Sequence, residues 1–389
     1  MKLSGRLLGA VLAVLLVASL IAVVQPLFGS TSEQIKVEAW VVWDVGLPPD
    51  LRASLYEISI VPGTSEVVAT SPWAIWRLDR SGKFAPVVEL STGGRVGEGS
   101  TLAASGKRAG ILTQQGDVVT GFRLIDLQGE VLAAVQTPEN FHYRIAPWGD
   151  SFVGIDANGE HIPVNADRFL YTFFSETGKV IGQVKSLKPQ PLDSAYTADG
   201  NAFVINGAEG LFAYRIEDGR LLWTVPRTVR EFAAAAAPTG LVVASYEEPR
   251  NVVEAYAEGK SLWQFQLEGN VRNLAVSPGG EFILATDRHT AYLFGAGRGK
   301  PLFTYTMPVE GLAINSVAVN DRGLAALGGQ RLEKNGGLVI VLDPAGRRVF
   351  QMELEWELSN AWIAGVQFDL NQELLLIRTL EELVLVSLE

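Results

Sequence analysis

From residue 36 onward the apolar positions fall into short runs of about four to eight residues, rich in β-branched and aromatic side chains and separated by Gly, Pro, Asn and Asp, the signature of successive strands joined by tight turns. The stretch around Gly299 shows the unit most cleanly. Residues 270–277 read as one strand, Pro278-Gly-Gly as a turn, 281–286 and 290–294 as two further strands, and 301–307 as a fourth. The end of the unit recurs as Ala213-Tyr-Arg-Ile-Glu-Asp-Gly219-Arg-Leu-Leu-Trp223, Glu258-Gly259-Lys-Ser-Leu-Trp263, Arg298-Gly299-Lys-Pro-Leu-Phe303 and Ala345-Gly346-Arg-Arg-Val-Phe350.

With weaker flanks the turn glycines continue upstream through Gly178, Gly129 and Gly82, spaced 47, 49, 41, 40, 40 and 47 residues from Gly82 to Gly346. Four short strands per unit at such a period predict an all-β propeller, in which each sheet buries its faces only against its neighbours. After Gly346 the chain supplies strands at 349–354, 362–368, 373–378 and 383–388 and then ends, leaving an eighth blade without its outer strand. A spare strand lies at the other end, residues 36–45. Pairing it with 383–388 removes two open edges at once, so eight blades with this clasp are expected, and seven are the alternative.

The turns that join the first and second strands are expected at 197–200, 237–240, 278–280 and 320–323, and less distinctly at 58–63 and 103–110. A segment of another kind precedes the repeats. Lys2 and Arg6 lead into an apolar run from Leu7 to Val24, which as a helix would rise about 27 Å, close to the hydrocarbon thickness of a bilayer. It is longer than an ordinary signal-peptide core. Residues 1–27 are therefore expected to be a retained signal anchor, or alternatively a cleaved signal peptide, with 28–35 as a short tether and 36–389 as the propeller. By the positive-inside rule the propeller lies outside the cytoplasm in either reading, on a single-pass membrane protein or as a secreted or periplasmic one.

The chain has 389 residues, 48% of them hydrophobic and 19% charged, with 40 glycines, as suits one large β-rich domain. Its net charge of −11 and lack of a Lys/Arg block argue against nucleic acid as a partner. No cysteine is present, so disulfides, thiolate nucleophiles and Cys-ligated zinc are excluded.

The repeat resembles the PQQ-like (quinoprotein-type) unit, Ala-x-Asp-x-x-Thr-Gly-x-x-x-Trp, found in eight-bladed propellers. Ala213, Gly219 and Trp223 match it, with Arg215 in place of Asp and Asp218 in place of Thr; Gly259 with Trp263 keeps its end, and Gly299 with Phe303 and Gly346 with Phe350 keep it with Phe for Trp. Pro86, Ala133 and Gly182 stand at the aromatic position of the first three units. The roles implied are those of scaffold: the aromatic wedges between blades and the glycine admits a tight turn. The family includes quinone-dependent dehydrogenases and non-catalytic members such as the outer-membrane assembly propeller. Trp43-Asp44 is a literal WD dipeptide, a weak sign of WD40-like kinship without a Gly-His partner.

Chemistry-bearing motifs are sparse. His142, His161 and His289 lack zinc-site spacing, and no G-x-S-x-G elbow occurs. Phe294-Gly-Ala-Gly-Arg-Gly-Lys300-Pro lacks the phosphate-loop spacing and runs into a strand instead of a helix. Asp156-Ala-Asn158-Gly-Glu160 has alternating oxygen ligands, but Asn-Gly also centres a tight hairpin. No cofactor is expected, and no catalytic or metal-binding residue.

Three links between second and third strands are longer than the rest, at 156–167, 246–251 and 328–337, in the third, fifth and seventh blades. They share one face, and His161, Arg250, Arg331 and Lys334 on them are the candidate contacts for a partner. The leading expectation is a membrane-anchored extracytoplasmic scaffold or envelope-assembly factor that binds another envelope protein and is not an enzyme. The alternative is an envelope enzyme or sensor acting on a sugar or small organic molecule in the central channel, using converging carboxylates. The residues expected to line that channel, 230–237 and 273–276, are poor in acids.

Overall fold

The computed structural model describes residues 39–388 apart from 49–54, 56, 72–73, 80, 82, 90–100, 116–117, 137–140, 157–168, 187–192, 208, 237–238, 247, 309–311, 332–335 and 356–362. The expected anchor and tether lie outside the described residues, as do Gly82, His161, Lys334 and the oxygen-rich loop beyond Asp156. Among the described residues no helix is long and apolar enough to cross a membrane.

Strands group into eight antiparallel sheets of four, the blades of an eight-bladed β-propeller. In chain order they span 58–89, 101–136, 141–186, 193–225, 229–266, 273–306 and 312–355 for blades 1 to 7, and 363–388 for the three inner strands of blade 8. We label the strands of a blade a to d from the channel outward. The d strand of blade 8 is Ala39–Gly46, antiparallel to Glu382–Leu388 with Ala39 opposite Leu388 and Gly46 opposite Glu382. The edge of the last sheet is thereby paired by the other end of the propeller chain.

Because both faces of a middle sheet are covered, the b and c strands read as nearly continuous apolar runs, and Leu338 to Leu342 are all buried. The cores lie between blades. One joins Phe122 and Leu124 of blade 2 to Tyr143 and Phe152 of blade 3; another joins Leu293 and Phe303 of blade 6 to Leu327 and Ile340 of blade 7; a third joins Trp43 and Leu385 of blade 8 to Ile58 and Val67 of blade 1.

In all eight blades the pairing of strand c with strand d carries a register shift near the start of d. The skipped residues are Val87, Leu132, Ile181, Leu222, Leu262, Leu302, Val349 and, in the clasp, Val42. A bulge re-aims the next side chain, and here that residue is Trp223, Trp263, Phe303 or Phe350 in the later blades, and Trp43 in the clasp. Two sequence expectations need correction on this ground. In blade 1 the bulge skips Val87, so the wedge position belongs to Val88, not Pro86. The turn glycines at 129, 178, 219, 259 and 346 have positive φ of 67° to 82°, but Gly299 is not among them; it is confined by the side chain of Trp263, whose Cβ lies 3.0 Å from where a Cβ on Gly299 would sit.

Gly182 is a requirement and not a decayed aromatic. A Cβ there would lie 2.9 Å from the amide nitrogen of Gly219, so the backbones of blades 3 and 4 approach too closely for a side chain.

Candidate functional site

The a strands converge on a central channel with two cavities. One of about 430 Å³ lies among blades 8, 1, 2, 3 and 4 and is lined by Glu57, Ser59, Arg144, Tyr196, Gln367 and Arg378, among others. The other, about 290 Å³, lies among blades 5, 6 and 7, lined by Arg230, Glu231, Arg272, Asn273, Asn315 and Ser316 together with apolar neighbours. The lining is thus poor in acids, as the sequence of 230–237 and 273–276 suggested, and rich in amides and arginines.

Much of this polar lining joins blade to blade. Asn273 Nδ2 donates to Thr286 Oγ1 in its own blade at 3.0 Å and to the Ile314 carbonyl of blade 7 at 3.4 Å. Asn315 donates to the Ile363 carbonyl of blade 8 at 3.1 Å, and the Val366 N–H donates back to Ser316 Oγ at 2.9 Å. Gln367 donates to the Ile58 carbonyl of blade 1 at 2.9 Å. Arg378 donates to the Leu55 carbonyl, and the Leu102 N–H of blade 2 donates to the Glu57 carboxylate. Apart from the bond within blade 6, each of these joins a side chain to a backbone group across a seam. Burial lowers the pKa of Arg378 and raises that of Tyr196, whose phenol stays protonated at neutral pH.

Channel chemistry is limited by this arrangement. Glu57 lines one cavity and Glu231 the other, and Glu231 lies 3.8 Å from Arg230; acid and base work on a sugar needs two carboxylates facing one bond. Among the described residues no group of His, Asp and Glu could hold a metal ion. His289 is occupied, donating from Nδ1 to the Leu312 carbonyl at 2.7 Å across the seam from blade 6 to blade 7.

A polar cluster not anticipated from sequence lies between blades 4 and 5. Glu254, 8% exposed, accepts from the Tyr246 hydroxyl at 2.8 Å and pairs with Arg227 at 3.3 Å. Tyr246 and Tyr256 share a hydrogen bond between their hydroxyls, and the Arg227 guanidinium stands 3.5 Å from the Tyr246 ring centroid. Desolvation raises both phenol pKa values, so both hydroxyls stay protonated, and that of Tyr246 donates to Glu254. Their spacing of eight and ten residues along Tyr246, Glu254 and Tyr256 gave no hint, because it is the antiparallel pairing of strands b and c that brings them together.

Of the four candidate partner contacts, two are described. Arg250 is exposed in the link between strands b and c of blade 5, and its carbonyl accepts from the Val271 N–H at 2.9 Å. Arg331 is not on a loop. Strand b of blade 7 runs Ala325–Arg331, so the expected long link shrinks to 332–335, and Arg331 pairs with Glu353 of strand d at 3.1 Å. Gly328 and Gly329 read as loop in the sequence but sit in the strand for want of space: a Cβ would lie 2.8 Å from Ile363 Cγ2 at the first and 2.8 Å from Met307 Cε at the second.

No family model and no curated protein sequence matches the chain. Solved structures do. BamB from Moraxella catarrhalis aligns with a TM-score of 0.56 and 13% identity over 90% of this chain and 100% of that one. The C-terminal WD40 domain of Sif2 aligns with a TM-score of 0.62 and 13% identity, covering 90% and 98%. KlHsv2 with loop 6CD replaced by a Gly-Ser linker aligns at 0.51 and 11%, covering 72% and 88%. At such identities the likeness is one of fold, and both PQQ-like and WD40 propellers share it.

Proposed function

We propose that this chain is a protein-interaction scaffold of the cell envelope, anchored by residues 1–27 with its propeller outside the cytoplasm, and that it acts through a surface without catalysis. The observation that carries the reading is the use of the channel's polar groups: Asn273, Asn315, Gln367, Arg378 and Glu57 bond to neighbouring blades, and among the described residues each cavity is lined by a single carboxylate, Glu57 in one and Glu231 in the other. The PQQ-like repeat ends and the fold likeness to BamB favour the non-catalytic branch of that family. The b to c face, with His161, Arg250, Arg331 and Lys334, is the docking surface in this reading.

The test is in-cell crosslinking of the full chain, comparing the wild type with Arg250→Glu, Arg331→Glu and Lys334→Glu combined. Partner capture falls, while the thermal transition moves mainly through Arg331, which is half-buried and loses its pair with Glu353; an exposed charge such as Arg250 contributes about 0 to 1 kcal/mol. Unchanged capture would remove this face from the proposal, and stoichiometric quinone or calcium in the purified protein would overturn the non-catalytic reading.

A further inference from the structure

The bulged start of strand d leaves aliphatic side chains in water at one corner of successive blades. Val131, Val180, Leu221 and Leu262, on blades 2 to 5, are 46 to 51% exposed, and Leu132, Leu222 and Leu302 beside them are exposed as well. A bulged strand needs room for its extra residue but does not need that residue to be Leu or Val, and repetition around the rim makes these a belt, not scattered surface residues.

A basic side chain stands next to the belt in blade after blade. Lys179, Arg220, Lys260 and Lys300 each follow the turn glycine and are exposed. The acids of the same turns are largely engaged: Asp79 and Asp126 accept backbone N–H groups of their own turns, and Glu176, Asp218 and Asp343 pair with Arg108, Arg215 and Arg347. Glu130, Glu217 and Glu258 remain exposed at the corner. A long cationic stem beside an exposed aliphatic suits a boundary where the chain lies in apolar medium and the charge reaches anionic groups.

The polypeptide also enters the propeller at this corner. Ala39 faces Leu388, so the clasp starts where the other d strands leave their turns, and its first residues Trp40 and Val41 are exposed. Trp is favoured at a bilayer boundary. Residues 25–38 join this point to the apolar run ending at Val24 and can span at most about 50 Å.

We propose that this rim, formed by the c to d corners of blades 2 to 6 and the start of the clasp, rests on the surface of a bilayer containing anionic lipid. The inference rests on the anchored reading above, because a tether makes docking intramolecular and lets weak individual contacts suffice. It also turns the b to c face, with Arg250 and Arg331, away from the membrane toward a partner.

The absence of cysteine permits a direct test. Full-length Leu222→Cys, Leu262→Cys and, as a control on the opposite face, Arg288→Cys carry an environment-sensitive NBD label in phosphatidylcholine and phosphatidylglycerol vesicles with or without spin-labelled lipid. The expected result is a blue shift and lipid-dependent loss of emission at 222 and 262 but not at 288, diminished by Lys179→Glu, Arg220→Glu, Lys260→Glu and Lys300→Glu together. Water-like emission at 222 and 262 in protein that floats with the vesicles overturns the docking face and leaves the anchor standing. A blue shift without lipid quenching assigns the rim to a protein neighbour and overturns it too. Failure to float with water-like emission at all positions refutes both readings.

Discussion

The indole N–H of Trp43, on the d strand of blade 8, donates to the carbonyl of Ser65 in blade 1 at 3.0 Å. Trp263 makes the same kind of bond at another seam: from blade 5 it donates to the Ala296 carbonyl of blade 6 at 2.6 Å, and its ring stacks on Phe294 with centroids 5.0 Å apart. The N-terminal strand therefore brings a wedge as well as hydrogen bonds to the closing seam. The WD dipeptide has its explanation in Trp43, which follows the skipped Val42 as Trp263 follows Leu262.

Trp43→Ala is expected to cost about 3 to 5 kcal/mol, because the side chain is only 7% exposed and its loss leaves a cavity at the closing seam. Trp43→Phe, which keeps most of the packing and loses the N–H, should cost about 1 kcal/mol. Urea denaturation of both variants gives the two values, and equal losses would mean that the hydrogen bond carries the whole effect.

Trp223 and Trp263 are both half-buried, so each Ala variant should lose less than a fully buried Trp does, about 2 to 3 kcal/mol at Trp263. Trp263→Ala should exceed Trp223→Ala, since Trp263 has the bond to Ala296 and the stack on Phe294. Midpoints in reversible chemical denaturation, measured on the two variants side by side, decide the order.

Removing residues 1–50 takes away the outer partner of Glu382–Leu388, which keeps only Leu374–Thr379 on its inner side, and leaves that edge with an open row of backbone groups. The truncated chain should aggregate or self-associate at concentrations where the full propeller does not. Light scattering at matched concentrations is the measurement, and a stable soluble product would show that the clasp is dispensable.

The closing seam should weaken as pH rises. Burial, together with the negative charges of Asp44 and Glu381, raises the Glu382 carboxyl to about 7. Its ordinary value, 4.5, stands for the unfolded chain, so between these values the folded state binds more protons than the unfolded one. Stability contributed by the neutral Glu382 is full below the lower value, falls as pH rises through the window and is lost above about 7. Burial raises Asp44 as well, with the same sign. Glu382→Gln should flatten the decline between acidic and mildly basic pH, read as urea midpoints across that range, and an unchanged slope would place the titration elsewhere.

The sequence by itself determined most of the strands and the period and favoured eight blades over seven, because each blade is built from contacts close in the chain. Gly219 with Trp223 and Gly259 with Trp263 mark hairpins whose partners are local, and the leftover strands at the two ends pointed to the eighth blade. What tertiary structure alone decided lies in the seams. Gly182 looks like a lost aromatic until Gly219 of the next blade is placed against it, and Gly328-Gly329 looks like a loop until Ile363 and Met307 are seen to occupy the space of a side chain. Asn315 and Gln367 belong to no motif in the sequence, and their acceptors, Ile363 and Ile58, lie in the neighbouring blades. Gln367 and Ile58 are 309 positions apart; no local pattern encodes such a pair, and only closure of the ring brings it into hydrogen-bond distance.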